Sequence, residues 1–110
     1  MHEMSIMQNI LDIVAETTAR EQGARVTRID LAIGERAGVM IEALTFAFEA
    51  MSPRTIAAGA KLMITEIPLR YQCPTCARQG TEQTSQCPAC DSLYELVQGR
   101  ELQITAIEIE

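Results

Sequence analysis

Four cysteines carry the clearest chemistry in this chain. Cys73-Pro-Thr-Cys76 and Cys87-Pro-Ala-Cys90 are near-copies separated by ten residues. A Cys-x-x-Cys turn directs two sulfurs at one point. Two such turns face each other to make a tetrahedral thiolate site with metal–sulfur bonds of about 2.3 Å. The intervening residues 77–86 are polar and cannot form a core of their own. A metal must then supply most of the local folding free energy, on the order of 10 kcal/mol in small zinc modules. Cys73, Cys76, Cys87 and Cys90 therefore read first as ligands of one structural Zn(II). Four thiolates close the coordination shell, which leaves no open position for catalysis. A rubredoxin-like iron site would use the same sulfurs, and a thioredoxin-like dithiol would need only one pair.

The amino terminus offers a second set of donors. His2 is the single histidine, and a bulky second residue normally protects the initiator methionine. The Met1 amine, the His2 imidazole and the deprotonated amides of His2 and Glu3 can form a square-planar nitrogen set. Such a set suits Ni(II) or Cu(II) and is poor for zinc. The plainer reading is a frayed terminus without a role. Met1, Met4 and Met7 recur every third residue. That spacing fits either a soft copper(I) site or, more simply, an apolar helical stripe.

The remaining composition narrows the class. The chain has 110 residues, is 47 % hydrophobic, and is only 4 % aromatic with no Trp. One core is affordable at this size, built mainly from aliphatic side chains and helped by a metal clip. The net charge is −6, from nine basic and fifteen acidic residues. No basic patch with interleaved aromatics is present, so nucleic acid is not an expected partner. The first residues lack a basic leader with an apolar run, and no stretch is long enough to cross a membrane. A cytoplasmic location is expected, where reduced thiols favour metal over disulfide.

The elements that position these residues follow from periodicity. Ser5 and Gln8 have capping-box spacing, which predicts a helix from Ser5 with Ile6, Ile10, Ile13, Val14 and Thr17 on its apolar face. Gly23 is expected to end it. Ile29, Leu31 and Ile33 alternate with Arg28, Asp30 and Ala32, a strand closing at Gly34. Leu44, Ala47, Phe48 and Met51 mark a second helix stopped by Pro53, because a residue before proline avoids helical geometry. Strands are expected over 60–69 and 102–109, the first of them apolar in part on both faces. A helix between the first two strands makes them parallel, and the last strand then pairs antiparallel. The fold class is α+β: two helices packed on a small three-stranded mixed sheet, with an inserted zinc-ribbon-like four-cysteine subdomain. Residues 1–69 and 99–110 would form the nickel-binding domain and residues 70–98 the inserted zinc domain.

The opening Met1-His2-Glu3-Met4-Ser5-Ile6 resembles the start of the HypA family of hydrogenase maturation nickel chaperones. So do Ile33-Gly34-Glu35-Arg36, Leu44-Thr45-Phe46-Ala47-Phe48-Glu49, the two cysteine pairs, and the tail from Leu102-Gln103-Ile104 to Ile107-Glu108-Ile109. The resemblance implies Ni(II) as transient cargo held by Met1, His2 and Glu3, and Zn(II) held by the four cysteines. It implies delivery to the large-subunit precursor of a [NiFe] hydrogenase, with the nickel GTPase HypB as partner. Close relatives also serve urease. Two departures stand out. Ala77 and Asp91 follow the second cysteine of each pair where some members carry histidine. Met40 stands where some carry an acidic side chain, and Glu42 is not counted as a ligand. Oligomeric state, including a homodimer or a swapped dimer, is left open.

A zinc-ribbon adaptor that only binds proteins, with an inert terminus, is the competing reading. An enzyme is not expected. His2 is the one histidine available as a base, and neither a nucleophile elbow nor a phosphate loop is present.

Overall fold

The computed structural model describes residues 2–80 and 86–110. The chain divides into two compact units, Met1–Ala32 with Val39–Thr65 and Gln103–Glu110, and Ile33–Gly38 with Glu66–Leu102.

In the first unit, helix α1 spans His2–Arg20 and helix α2 spans Ile41–Met51. The helices pack on one another. α1 begins three residues before the capping-box signature, so Ser5 lies inside the helix and Gln8 instead donates to Asp12 at 2.9 Å. Its buried face is Glu3, Met7, Ile10, Leu11, Val14 and Thr18. The expected stripe shares Ile10 and Val14 with this face but is rotated from it: Ile13 is 50 % exposed, whereas Met7 and Leu11 are enclosed. Met7, Ile10, Leu11 and Val14 follow one continuous helical row, and the row with more contiguous apolar volume goes inward. Buried Thr18 satisfies its hydroxyl on the Val14 carbonyl at 2.7 Å.

The left-handed residue that closes α1 is Gln22 at φ 56, and the Gly23 amide then returns to the Thr18 carbonyl at 2.9 Å. Gly23 is needed for closeness rather than φ, since a Cβ there would lie 2.1 Å from Ile109 Cγ2. Pro53 works differently from expectation as well. α2 ends at Met51, but Ser52 stays helical at φ −67 and ψ −29 and opens a short 3-10 turn through Arg54. Pro sits well in the first turn of such an element, where its missing N–H is not required.

Strands β1 (Val26–Gly34), β2 (Lys61–Ile67) and β6 (Leu102–Ile109) form a sheet in the order β2-β1-β6. Val26 donates to the Ile56 carbonyl at one end and Glu35 to Ile67 at the other, so β1 and β2 run parallel. Against β6 the numbers run opposite ways: Arg25 meets Glu110, Thr27 meets Glu108, Asp30 meets Thr105, and Gly34 meets Glu101. That pair is antiparallel, and the sheet is mixed as expected. β1, the central strand, is the most buried, with Ile29, Leu31 and Ile33 enclosed and Arg28 outside.

The second unit holds a sheet that periodicity did not foresee. β3 (Arg70–Gln72), β4 (Gln79–Gly80) and β5 (Glu95–Gln98) pair antiparallel in the order β4-β3-β5. Strands of two to four residues are too short to show alternation. The turn after β1 binds both chain segments flanking this sheet. Gly34 donates to Glu101 at 2.8 Å, Arg36 to Gly99 at 2.6 Å, and the Glu35 carboxylate accepts the Leu69 amide at 3.1 Å.

Two glycines make this approach possible. A Cβ on Gly34 would lie 2.1 Å from the Gly99 carbonyl carbon and 2.6 Å from the Arg100 nitrogen, all backbone. Gly99 itself sits at φ 120 against Leu69. Backbone cannot swing aside as a side chain can. Gly34→Ala is therefore expected to lower stability by about 1–3 kcal/mol, the usual range for overpacking, in a urea unfolding series.

Candidate functional site

The two cysteine pairs fold as two copies of one turn. In the first, Cys73 donates to the Arg78 carbonyl at 2.9 Å and Ala77 donates to the Cys73 carbonyl at 3.0 Å. In the second, Cys87 donates to Ser92 at 2.7 Å and Asp91 to Cys87 at 2.9 Å. The offsets match residue for residue. Each turn is closed by a left-handed residue directly after its second cysteine, Ala77 at φ 62 and Asp91 at φ 60. Asp tolerates that region, whereas Ala pays about 1–2 kcal/mol for it. The two turns are also stitched by Thr75 and Ser92, whose hydroxyl oxygens are 2.7 Å apart.

The turns bring Cys73, Cys76, Cys87 and Cys90 together, with all four sulfurs within 4.8 Å of one another. Cys73 and Cys87 are buried and Cys76 and Cys90 exposed. A tetrahedron with bonds of about 2.3 Å has edges of about 3.8 Å, which the two sulfur contacts of 3.7 Å match, while Cys73 and Cys90 stand closer at 3.1 Å. The donor set is all soft sulfur, so the residues fit Zn(II), and equally an iron of the rubredoxin kind.

Electrostatics have prepared part of the set. The Cys76 amide, with further hydrogen bonds from Cys90 and Thr75, outweighs burial and draws the Cys73 thiol down to about 6. At Cys87 burial pushes upward, but the Ala89 and Cys90 amides prevail and lower it. Cys76 goes the other way. An Arg78 amide pulls it down, yet burial and the three neighbouring sulfurs carry it up to about 11. At neutral pH a metal must therefore displace a proton from Cys76, and binding weakens as pH falls. Tyr94 stands behind the set. Burial first, then the charge and sulfur of Cys87, raise its hydroxyl pKa.

At the other end of the chain, Met1 lies outside the described residues. His2 opens α1 with its side chain 61 % exposed, and its Nε2 is 3.5 Å from Glu3 Oε2. Glu3 is buried, and its carboxylate accepts the Met40 amide at 3.1 Å. Met40 is the cap residue of α2 and supplies no side-chain cap of its own. Glu3 thus caps α2 from α1 and places a negative charge at that helix's positive end. The Met40 hydrogen bond is the largest cause of the lowered Glu3 pKa, ahead of burial, which opposes it.

A carboxylate depressed in the folded state stabilises it above the ordinary carboxylate range and ceases to do so as pH falls through the folded value. Glu3→Ala should accordingly lower the urea midpoint near about pH 7 and leave it nearly unchanged near about pH 3. Glu3→Gln, which keeps an oxygen acceptor, should fall between. The Glu3–Met40 pairing carried no sequence signal, since the partners are 37 residues apart. Glu42 is exposed in the first turn of α2. Of the methionines, Met7 is enclosed in the core and Met4 is 42 % exposed, which separates them as members of one accessible copper site.

Comparison with known proteins decides the family. The sequence model for HypA, described as hydrogenase/urease nickel incorporation metallochaperone, matches residues 1–109. The chain belongs to the HypA family. The Geobacter sulfurreducens hydrogenase maturation factor HypA is 40 % identical over 113 aligned positions, covering 100 % of both chains. The same factor from Chloroflexus aurantiacus is 38 % identical, covering 98 % of each. In fold, the chain is similar to a solution structure of HypA with a TM-score of 0.79 at 23 % identity, covering 100 % of this chain and 97 % of that one. It is also similar to the solution structure of the Ni metallochaperone HypA from Helicobacter pylori, with a TM-score of 0.68 at 20 % identity and coverage of 97 % and 96 %.

Members of this family are nickel-incorporation metallochaperones and maturation factors, not enzymes. The four-cysteine cluster of this HypA-family chain is a metal-binding cluster. Among the described residues, no helix is long and apolar enough to cross a membrane.

Proposed function

We propose that this HypA-family chain binds Ni(II) through the Met1 amine, His2 and Glu3 and delivers it for maturation of [NiFe] hydrogenase, with urease as a second client in related systems. One observation carries the terminal site. α1 starts at His2, and the amides of a helix's first turn lie outside its i→i−4 hydrogen-bond ladder. Amides outside the helical ladder can be deprotonated and coordinated without breaking a helix hydrogen bond. The Glu3 carboxylate is committed to Met40, so Glu3 contributes its backbone nitrogen rather than its side chain.

Cys73, Cys76, Cys87 and Cys90 hold Zn(II), a closed structural site that shapes residues 70–98. Residues 1–69 and 99–110 carry the nickel end. The working partners are HypB and the hydrogenase large-subunit precursor, and the setting is the cytoplasm.

Every nitrogen in the terminal set must lose a proton or remain unprotonated to bind metal. Nickel affinity should fall by more than about tenfold between about pH 7.5 and about pH 6, followed by calorimetric titration of the zinc-loaded chain. Equal affinity at both would mean that these nitrogens are not the ligands.

A further inference from the structure

The three close sulfur contacts in the ribbon all run between the two turns. Cys73 and Cys90 are 3.1 Å apart, and Cys76 lies 3.7 Å from both Cys87 and Cys90. Within the first turn, the Cys76 amide also reaches the Cys73 sulfur, at 3.5 Å. No disulfide joins the four cysteines, and Cys90 is exposed where Cys73 is buried. Cys76 is exposed as well, so an oxidant from solvent can reach either outer sulfur, and of the two Cys90 has the nearer neighbour, a sulfur of the opposite turn.

We propose that the ribbon is an oxidation site whose first disulfide joins Cys73 to Cys90, across the two turns, and that this bond opens the metal clip. The co-reactant is a peroxide. The Cys90 sulfur attacks a peroxide oxygen, so an S–O bond forms, the O–O bond breaks, and one water leaves after protonation. The Cys73 thiolate then attacks the Cys90 sulfur, the S–S bond forms, and the S–O bond breaks to release a second water. Two thiols and one hydrogen peroxide give one disulfide and two waters, with two electrons passing from sulfur to oxygen. A disulfide offers no thiolate, so the ribbon keeps only Cys76 and Cys87 as ligands and lets its ion go. Reduction by a dithiol reverses the bond and restores the set.

This goes beyond the delivery role and depends on it only for the metal that the ribbon carries. The unmodified full-length chain is loaded with zinc, its metal content is measured, and hydrogen peroxide is added in steps. Released zinc is read with a colorimetric chelator, and the thiols are then blocked and the chain digested with trypsin. Arg78 lies between the two cysteine pairs, so cleavage there separates them. A bridge between the turns holds two peptides together until reduction, whereas a bridge within a turn does not.

The expected result is a linked peptide pair whose fragmentation joins Cys73 to Cys90, with one zinc lost per bridged chain. Bridges confined to Cys73–Cys76 or Cys87–Cys90, an intermolecular bridge, sulfinic acid without a disulfide, or oxidation with zinc retained would overturn it. A chain that takes up no zinc beforehand would fail the zinc reading alone. The same digest of the metal-free chain would still decide the connectivity.

Discussion

Two residues placed before Met1 are expected to lower Ni(II) affinity by at least about a hundredfold, while the untagged chain binds one nickel. The loss should exceed the ten- to hundredfold typical of removing an outer-sphere partner, because an extension removes a direct ligand. It turns the Met1 amine into an amide and carries the new amine away from His2. The rest of the set does not compensate. His2 supplies the single imidazole in the chain, and the Glu3 carboxylate is already bonded to the Met40 amide.

The fold should survive the extension. The α1 face that enters the core begins at Glu3 and continues through Met7, Ile10, Leu11, Val14 and Thr18. Unfolding midpoints of the two proteins are thus expected to agree, so that loss of nickel is read as loss of a ligand. Equal nickel binding by both forms would place the site elsewhere. Absence of binding in both would leave the protein-binding adaptor reading in its place.

Removing the ribbon metal is expected to have the largest structural effect. In a Cys87→Ser chain, or after a strong chelator, residues 70–80 and 86–98 should lose amide protection from hydrogen exchange. The physical reason is the poverty of apolar support there. β3 and β4 hold three and two residues, and Tyr71, Cys73 and Cys87 are the enclosed hydrophobic side chains of the segment. Without the roughly 10 kcal/mol or more that a thiolate zinc site contributes, backbone entropy of about 1–2 kcal/mol per residue is not recovered. Serine at 87 also places a hydroxyl where a fully buried sulfur belongs.

The core of α1, α2 and β1 should keep its protection, since Met7, Val14, Ile29, Leu31 and Leu44 are buried in the first unit, which holds none of the cysteines. Exchange measured by mass spectrometry on both chains checks this. Retained protection over the ribbon after verified metal loss would show that the peptide holds itself together.

Features whose physics is local could be read from the sequence. The cysteine pairs are of this kind: each ligand turn closes on its own amides within five residues, from Cys73 to Arg78 and from Cys87 to Ser92. Alternation placed β6 over Leu102–Ile109, and helical spacing placed Leu44, Ala47 and Phe48 on the buried side of α2. The intervening helix predicted parallel β1 and β2, because a helical crossover carries the chain back to the starting end of the sheet whatever the side chains are.

Other features depended on partners remote in the chain. Capping signals near Ser5 were outweighed because α1 starts at His2, with Glu3 turned toward a backbone amide of the α2 cap. Gly34 and Gly99 are 65 positions apart, and only their backbone contact explains why neither carries a side chain. Gln22 takes the left-handed position beside a glycine that seemed made for it, because Gly23 is needed against Ile109. Ligand type and spacing are properties of a few consecutive residues, and the sequence alone determined them. Which carboxylate caps a helix, and which glycine yields to a neighbouring backbone, depends on segments that meet only after folding, so the tertiary structure decided it.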